Sequence, residues 1–297
     1  MPKQDVFRAN VSSLHLCHRC PRLFAFERNG KKDTWKVGFE GTFNCGTAFH
    51  KSIATPFHKD ASGQNGMEKR HKILDLIKNN SDNPETLKKE LLFHVCQDYF
   101  SSFLKKTKKR DTTHRDSLNK CIEKWVDFLV DDFLFSNSGF LNNPKTFTEQ
   151  AFWRAEKIME TDYADSDGTT LTISGQCDCI LLDRTREEKL LVEFKCRRKT
   201  DSAEEFVQLA LYAKLIRKYS GLLPRACVLY LEEENPLKNY SATETEKMIE
   251  LLPRLFNTAI QVIRAVKSNK ESIPKTDNPS LCKKCPYHKD CDTRFGS

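Results

Sequence analysis

Residues 169–196, TTLTISGQCDCILLDRTREEKLLVEFKC, decide the fold class. The first half alternates between apolar and polar side chains and the last eight residues are rich in β-formers, so both are predicted strands. The polar stretch between them is typical of a turn, and we predict a β-hairpin. Alternate side chains of a strand share a face, which places Glu193 and Lys195 together. In a suitable register, Asp178 lies beside Glu193 on that face.

Two acids and one lysine in this arrangement indicate a metal-dependent hydrolase. Carboxylates about 4 Å apart repel by roughly 4 kcal/mol at an effective dielectric constant of 20. A divalent cation removes this cost, and oxygen ligands suit Mg²⁺ or Mn²⁺. Lys195 can then stabilise charge on a phosphate or orient the attacking water. A solvated hairpin is the alternative, because an acid-x-lysine triplet also occurs by chance.

A helix predicted over 203–219 supports the hydrolytic interpretation. Its apolar residues surround most of the helix, which predicts burial. Gln208 and Tyr212, four residues apart, share the remaining sector. A buried glutamine needs a hydrogen-bond partner, which is either the site on the hairpin or nearby backbone.

The remaining pattern predicts one core domain and one insertion. We predict core residues in 1–55 and 146–297, and a helical insertion over 56–145. The predicted helices are 12–28, 67–79, 85–107, 114–135 and 241–268, the last kinked at Pro253. Further strands are predicted within 146–158 and over 225–232, and the tail 273–297 is expected to be loop-like.

Four short motifs occur in the order found in a known family. They are Gly46-x-x-x-His50, Gly175-x-x-Asp178, Glu193-x-Lys195 and Gln208-x-x-x-Tyr212, and their order resembles that of RecB-like nucleases of the PD-(D/E)XK superfamily. The resemblance implies an α/β restriction-endonuclease-like core, with a central mixed sheet flanked by helices.

The same resemblance implies roles for individual residues. His50, Asp178, Glu193 and the backbone carbonyl of Phe194 correspond to metal ligands. Lys195 corresponds to the catalytic lysine, and Gln208 and Tyr212 to DNA contacts. Glu149 resembles a further acidic position of some members. Arg197 and Arg198, directly after the second strand of the hairpin, are candidate phosphate contacts.

Cysteines near both ends of the chain predict a second metal centre. Cys282, Cys285 and Cys291, with Cys20 before Pro21-Arg22, resemble the ligands of iron–sulfur RecB-like enzymes, which include CRISPR-associated exonucleases, AddB-type repair nucleases and eukaryotic single-strand exonucleases. The resemblance implies a 4Fe–4S cluster. Structural zinc is the alternative, because Cys17-x-x-Cys20 with Cys282-x-x-Cys285 also fits a zinc-ribbon pattern. Whether Cys17 or Cys20 is the N-terminal ligand stays open.

Composition agrees with an enzyme that acts on an anionic polymer. The formal net charge of +8 favours nucleic acid ahead of membrane as the partner. Without a run of about 18 apolar residues, we expect no membrane helix. Twelve cysteines and the lack of a secretory signal favour a reducing cytosolic compartment, or a nuclear or organellar one in a eukaryote.

The residues themselves predict metal-assisted cleavage of phosphodiesters, and the resemblance implies a metal-dependent deoxyribonuclease. The resemblance further implies a single-stranded DNA exonuclease of DNA repair or CRISPR-type antiviral defence, working with partner proteins of such a complex. The alternative is a catalytically silent DNA-binding or scaffold subunit that keeps a structural zinc or iron–sulfur site.

Overall fold

The structure is a computed structural model that describes the chain in segments. These are residues 5–28, 49, 64–104, 112–135, 152–155, 158–183, 187–196, 203–234, 236–268, 273–283 and 285–295. The described strands are β1 (Val6–Asn10), β2 (Phe152–Ala155), β3 (Ile158–Ala164), β4 (Thr170–Gln176), β5 (Cys179–Asp183), β6 (Glu188–Lys195), β7 (Arg225–Tyr230) and β8 (Leu237–Tyr240). The described α-helices are α1 (Val11–Arg19), α2 (Pro21–Arg28), α3 (Gln64–Asn79), α4 (Pro84–Leu104), α5 (Thr112–Asp127), α6 (Ala203–Ser220), α7 (Ala242–Glu250), α8 (Leu252–Lys267), α9 (Pro279–Lys283) and α10 (His288–Phe295).

These strands form two sheets that meet where β4 gives way to β5. The larger sheet has the order β2-β5-β6-β7-β8, and the smaller one has the order β1-β4-β3. In the larger sheet β6 is antiparallel to β5 and parallel to β7, so the sheet is mixed. The predicted hairpin is confirmed as β5–β6. The single strand expected over 169–182 is wrong, because the chain leaves the smaller sheet at Gln176 and enters the larger one at Cys179.

Both faces of the larger sheet are covered by helices. One face lies in a core that α1, α6 and α8 complete, and the other lies in a core with α3, α4 and α5. The helices of the predicted insertion therefore pack directly on the sheet. A sheet buried on both faces needs apolar side chains at successive positions, and β6 accordingly carries three in a row, Leu190, Leu191 and Val192.

Three further expectations differ from the structure. The helix expected over 241–268 is two helices that meet at Leu251, because Pro253 lacks an N–H and is best accommodated in the first turn of a new helix. The tail forms the short helices α9 and α10 rather than loop alone. The strands β1 and β8 were not predicted, since each has only four or five residues. In addition, β1 acquires its hydrogen bonds from β4, which is distant in sequence.

In the part of the chain that the structure describes, the helices are all too short or too polar to cross a membrane.

Gly175 lets two helices approach β4 closely. A Cβ atom at this position would lie 2.5 Å from Val11 Cγ2, 2.9 Å from Leu215 Cδ1 and 3.1 Å from Tyr212 Cε1. Any side chain there would push α1 and α6 away from the strand that leads to Asp178. The close packing of α1 and α6 on β4 therefore explains why position 175 is a glycine.

Gly175→Ala is expected to destabilise the protein by about 1–3 kcal/mol, because the added methyl group overpacks the contact with Val11. Urea unfolding measures the change. In the double variant with Val11→Ala, the vacated space relieves the overpacking, so the combined loss is expected to be smaller than the sum of the single losses. Strictly additive losses would contradict this packing.

Candidate active site

The end of β6 carries a closed triangle of polar contacts. Lys195 Nζ lies 2.8 Å from Glu193 Oε1 and donates a hydrogen bond to Gln208 Oε1, also at 2.8 Å. Gln208 Nε2 completes the triangle by donating to Glu193 Oε1 at 2.6 Å. Glu193 and Lys195 share a face of β6 as predicted, and Gln208 reaches them from α6. Of the two partners considered for Gln208, the structure therefore provides the hairpin residues Glu193 and Lys195.

Burial makes this triangle energetically important. The Glu193 side chain is 4% exposed and that of Lys195 is 17% exposed. A charge removed from water is tolerated only with close partners, and deleting one partner of a buried ion pair costs about 3–5 kcal/mol. Each member therefore fixes the other two. Lys195 keeps enough exposure for its ammonium group to meet a ligand from solvent.

Asp178 lies beside this triangle because of the break between the two sheets. Cys179 pairs with Val192, so the residue before Cys179 lies next to Glu193. Asp178 Oδ2 accepts a hydrogen bond of 2.8 Å from the backbone N–H of Phe194. This contact turns the carboxylate towards β6, the strand that carries Glu193.

Tyr212 lies near both carboxylates of the site. Burial raises the pKa of its hydroxyl above the usual range, and the nearby carboxylates of Glu193 and Asp178 raise that pKa further. The Gln208 side chain hydrogen-bonds the same hydroxyl. Tyr212 therefore stays protonated at neutral pH and can act as a hydrogen-bond donor.

Four of the predicted site residues lie outside the described residues. They are His50, Glu149, Arg197 and Arg198. Phe49, the residue before His50, is described, and its ring lies 5.3 Å from that of Phe194 in an edge-to-face contact. Phe194 thus packs on one side of β6 while its neighbours Glu193 and Lys195 form the site on the other.

The donor chemistry of the site fits a hard divalent cation. Two carboxylates stand together, and oxygen ligands of this kind suit Mg²⁺ or Mn²⁺. Among the described residues, no three His, Cys, Asp or Glu side chains lie close enough together to hold a metal ion. Asp178 and Glu193 could supply two protein ligands, and the predicted histidine ligand belongs to the part that is not described.

The N-terminal and C-terminal cysteines are brought together in the fold. Burial raises the pKa of the Cys285 thiol, and the neighbouring thiols of Cys20, Cys291 and Cys282 raise it further. Cys20 ends α1, directly before α2, whereas Cys17 lies inside α1 with 1% of its surface exposed. Thiols suit a metal that prefers sulfur, such as iron or zinc. In the described residues, however, no three of these thiols lie close enough together to hold one.

Arg22 of α2 binds the C-terminal tail on both sides of its three cysteines. It donates hydrogen bonds to the backbone carbonyl of Ile273 at 2.8 Å and to that of Phe295 at 3.2 Å. Its third contact is to Cys291 Sγ at 3.8 Å. The chain ends are therefore joined by a buried arginine even without any metal.

One buried pair beside the site was not predicted. The Tyr230 hydroxyl donates a hydrogen bond to Glu205 Oε2, and both residues are buried. The sequence held one signal for it, since Glu205 precedes Gln208 by three residues and so lies on the same side of α6.

Comparison with known proteins assigns the chain to a family. Residues 8–292 match the PD-(D/E)XK nuclease superfamily, so the chain belongs to that superfamily, and the α/β core with mixed sheets between helices is its fold. No curated protein sequence matches the chain significantly. The crystal structure of SSO0001 is similar over 69% of this chain and 96% of that one, with 13% identity and a TM-score of 0.33. A likeness this weak transfers no function.

Mn²⁺ is expected to raise the melting temperature of the wild-type protein. A cation that binds only the folded state stabilises it by about 2.7 kcal/mol at a concentration about one hundred times its Kd. Asp178→Asn replaces a charged oxygen ligand, so the shift is expected to shrink or vanish in a thermal scan. The matched control is Asp183→Asn, a buried aspartate at the far end of β5 from Asp178. An equal Mn²⁺ shift in Asp178→Asn and wild type would contradict a cation site at Asp178.

Proposed function

We propose that the protein is a divalent-metal-dependent deoxyribonuclease that degrades single-stranded DNA from an end. Membership of the PD-(D/E)XK superfamily supports a metal-dependent nuclease. The observation that carries the proposal is the buried triangle of Glu193, Lys195 and Gln208 with Asp178 beside it. On a solvated hairpin, Glu193 would not be buried in contact with Lys195.

Each residue of the site has a distinct proposed role. The proposed metal ligands are Asp178, Glu193, His50 and the backbone carbonyl of Phe194, and a Mg²⁺ or Mn²⁺ ion held there would activate water as a Lewis acid. Lys195 is the catalytic lysine, whose ammonium stabilises the charge that develops on the scissile phosphate.

Two residues of α6 have proposed roles: one orients the catalytic lysine and the other binds the DNA phosphate. Gln208 holds the Lys195 ammonium beside Glu193 through the contacts described above. Tyr212 donates a hydrogen bond from its neutral hydroxyl to a phosphate oxygen.

The preference for DNA rests on charge and on family resemblance. The net charge of +8 favours an anionic polymer, and Arg197 and Arg198 follow the strand that carries Glu193 and Lys195. We propose Glu149 as a further acid of the site. The exonucleolytic mode, the single-stranded substrate, and a pathway of DNA repair or CRISPR-type antiviral defence with partner proteins are proposals from the resemblance to RecB-like enzymes.

The domain division is also proposed. Residues 1–55 and 146–297 form the nuclease core, and 56–145 form a helical insertion that supplies the layer on one face of the larger sheet. This is supported by the aromatic contact between Trp125 of α5 and Phe194, whose ring centroids are 4.9 Å apart.

Wild-type protein is expected to release nucleotides from end-labelled single-stranded DNA in the presence of Mn²⁺. Asp178→Ala and Lys195→Ala are each expected to lower the rate roughly a hundredfold or more, since each removes an electrostatic contribution to the transition state. Lys189→Ala, at the opposite end of the same strand, is the matched control and should retain activity. Separate 5′ and 3′ labels give the direction of degradation.

Two outcomes of this assay would overturn the proposal. Hydrolysis that survives both Asp178→Ala and Lys195→Ala would mean that another site or a contaminant is responsible. Salt-dependent DNA binding without hydrolysis by the wild type would favour the silent DNA-binding subunit instead.

We further propose that Cys20, Cys282, Cys285 and Cys291 hold a 4Fe–4S cluster. The support is the neighbourhood of these thiols at the meeting point of α2 and the tail. We place Cys17 in the apolar core rather than among the ligands, because it is 1% exposed whereas Cys20 is 8% exposed. A metal that joins Cys20 to Cys282 would cross-link the chain. In the chain-entropy treatment of cross-links, this raises the free energy of unfolding by about 5–6 kcal/mol.

Protein purified without oxygen is expected to be brown and to contain iron. Cys285→Ala should lose the colour and melt at a much lower temperature, because the cross-link is lost. Cys17→Ala, one turn before Cys20 on α1, is the matched control and should keep the iron. A colourless wild type with stoichiometric zinc would overturn the cluster, and loss of iron in Cys17→Ala but not in Cys20→Ala would reassign the ligand.

A further inference from the structure

A buried carboxylate outside the proposed ligand set lies next to the candidate active site. Glu205 is 3% exposed, and its Oε2 accepts a hydrogen bond from the hydroxyl of Tyr230, which is fully buried. Burying a carboxylate is unfavourable unless it is hydrogen-bonded. The two residues therefore depend on each other.

Tyr230 is held in a fixed position relative to Lys195. It is the last residue of β7, and its Cα partner on the parallel strand β6 is Lys195. The backbone N–H of Leu231 donates to the Lys195 carbonyl at 2.9 Å. Because paired residues of adjacent strands point to the same face, the Tyr230 side chain lies on the side of the sheet that carries the site.

Glu205 is held in a fixed position relative to Gln208. The two residues are three apart on α6 and so lie on one side of the helix. Gln208 contacts both Lys195 and Glu193. The beginning of α6 is therefore attached to the ends of two neighbouring strands by two side-chain contacts, one helical turn apart.

We propose that the Glu205–Tyr230 hydrogen bond is a positioning contact for Lys195. It fixes the first turn of α6 on β7, and Gln208 then holds the Lys195 ammonium beside Glu193. This inference rests on the proposed nuclease function of the site.

Tyr230→Phe removes the donor and is expected to lower kcat on single-stranded DNA roughly tenfold to a hundredfold, because a small displacement of a positioned group has effects of this size. KM for DNA and the Mn²⁺ concentration at half-maximal rate should stay unchanged. The reason is that neither the proposed DNA contacts nor the proposed metal ligands are altered.

Two further variants separate positioning from general stability. Glu205→Gln keeps an acceptor for the Tyr230 hydroxyl and is expected to retain most of kcat. Tyr163→Phe is the matched control, since it removes another tyrosine hydroxyl that donates to a side chain, Asn257 of α8, at 2.9 Å. Its melting temperature should fall while its kcat stays at the wild-type value, with all rates measured well below every melting temperature.

The outcomes distinguish this inference from the proposed function. Wild-type kcat in Tyr230→Phe, or an equal loss in Tyr163→Phe, would overturn the positioning role. A Glu205→Gln variant as inactive as Tyr230→Phe would overturn it too, because the charge itself would then be required.

A wild-type protein without nuclease activity overturns the proposed function instead. In that case the melting temperatures of Tyr230→Phe, Gln208→Ala and their double variant still report positioning, since coupled contacts give non-additive losses and independent ones add.

Discussion

The ion pair between Glu193 and Lys195, closed by Gln208, is the constraint on which the site depends. Both charges lie on a strand whose neighbours are apolar, so they are held away from bulk water and must be compensated locally. The compensation comes from α6, which is why that helix must dock at the end of β6. A helix displaced by one turn would leave a buried carboxylate and a buried ammonium with poorer partners.

The break between the two sheets gives the site its second acid. A single continuous strand would have kept Asp178 within a regular ladder. Instead the chain changes sheets after Gln176, and the Asp178 carboxylate is free to turn onto the Phe194 N–H. Close packing at Gly175 keeps α1 and α6 near this crossing point. The same packing places Tyr212 beside both acids.

Side-chain packing joins α2 to the C-terminal tail. The ring of Phe26 stacks on Tyr287 with centroids 4.5 Å apart, and Arg22 reaches backbone carbonyls on both sides of the cysteine-rich tail. A metal bound by the four thiols would thus strengthen an interface that already exists. Such a preformed interface lowers the entropy that metal binding must overcome.

By itself, the sequence determined the local features. Period-two alternation and the polar turn predicted the hairpin, the all-round apolar helix predicted a buried α6, and the alternation on β6 put Glu193 and Lys195 on one face. Local patterns suffice there because side-chain direction follows from the backbone period. Only the tertiary structure decided the rest: the split at Asp178, the layer formed by α3, α4 and α5, and the Glu205–Tyr230 pair. These depend on contacts between residues far apart in the chain, which no local pattern encodes.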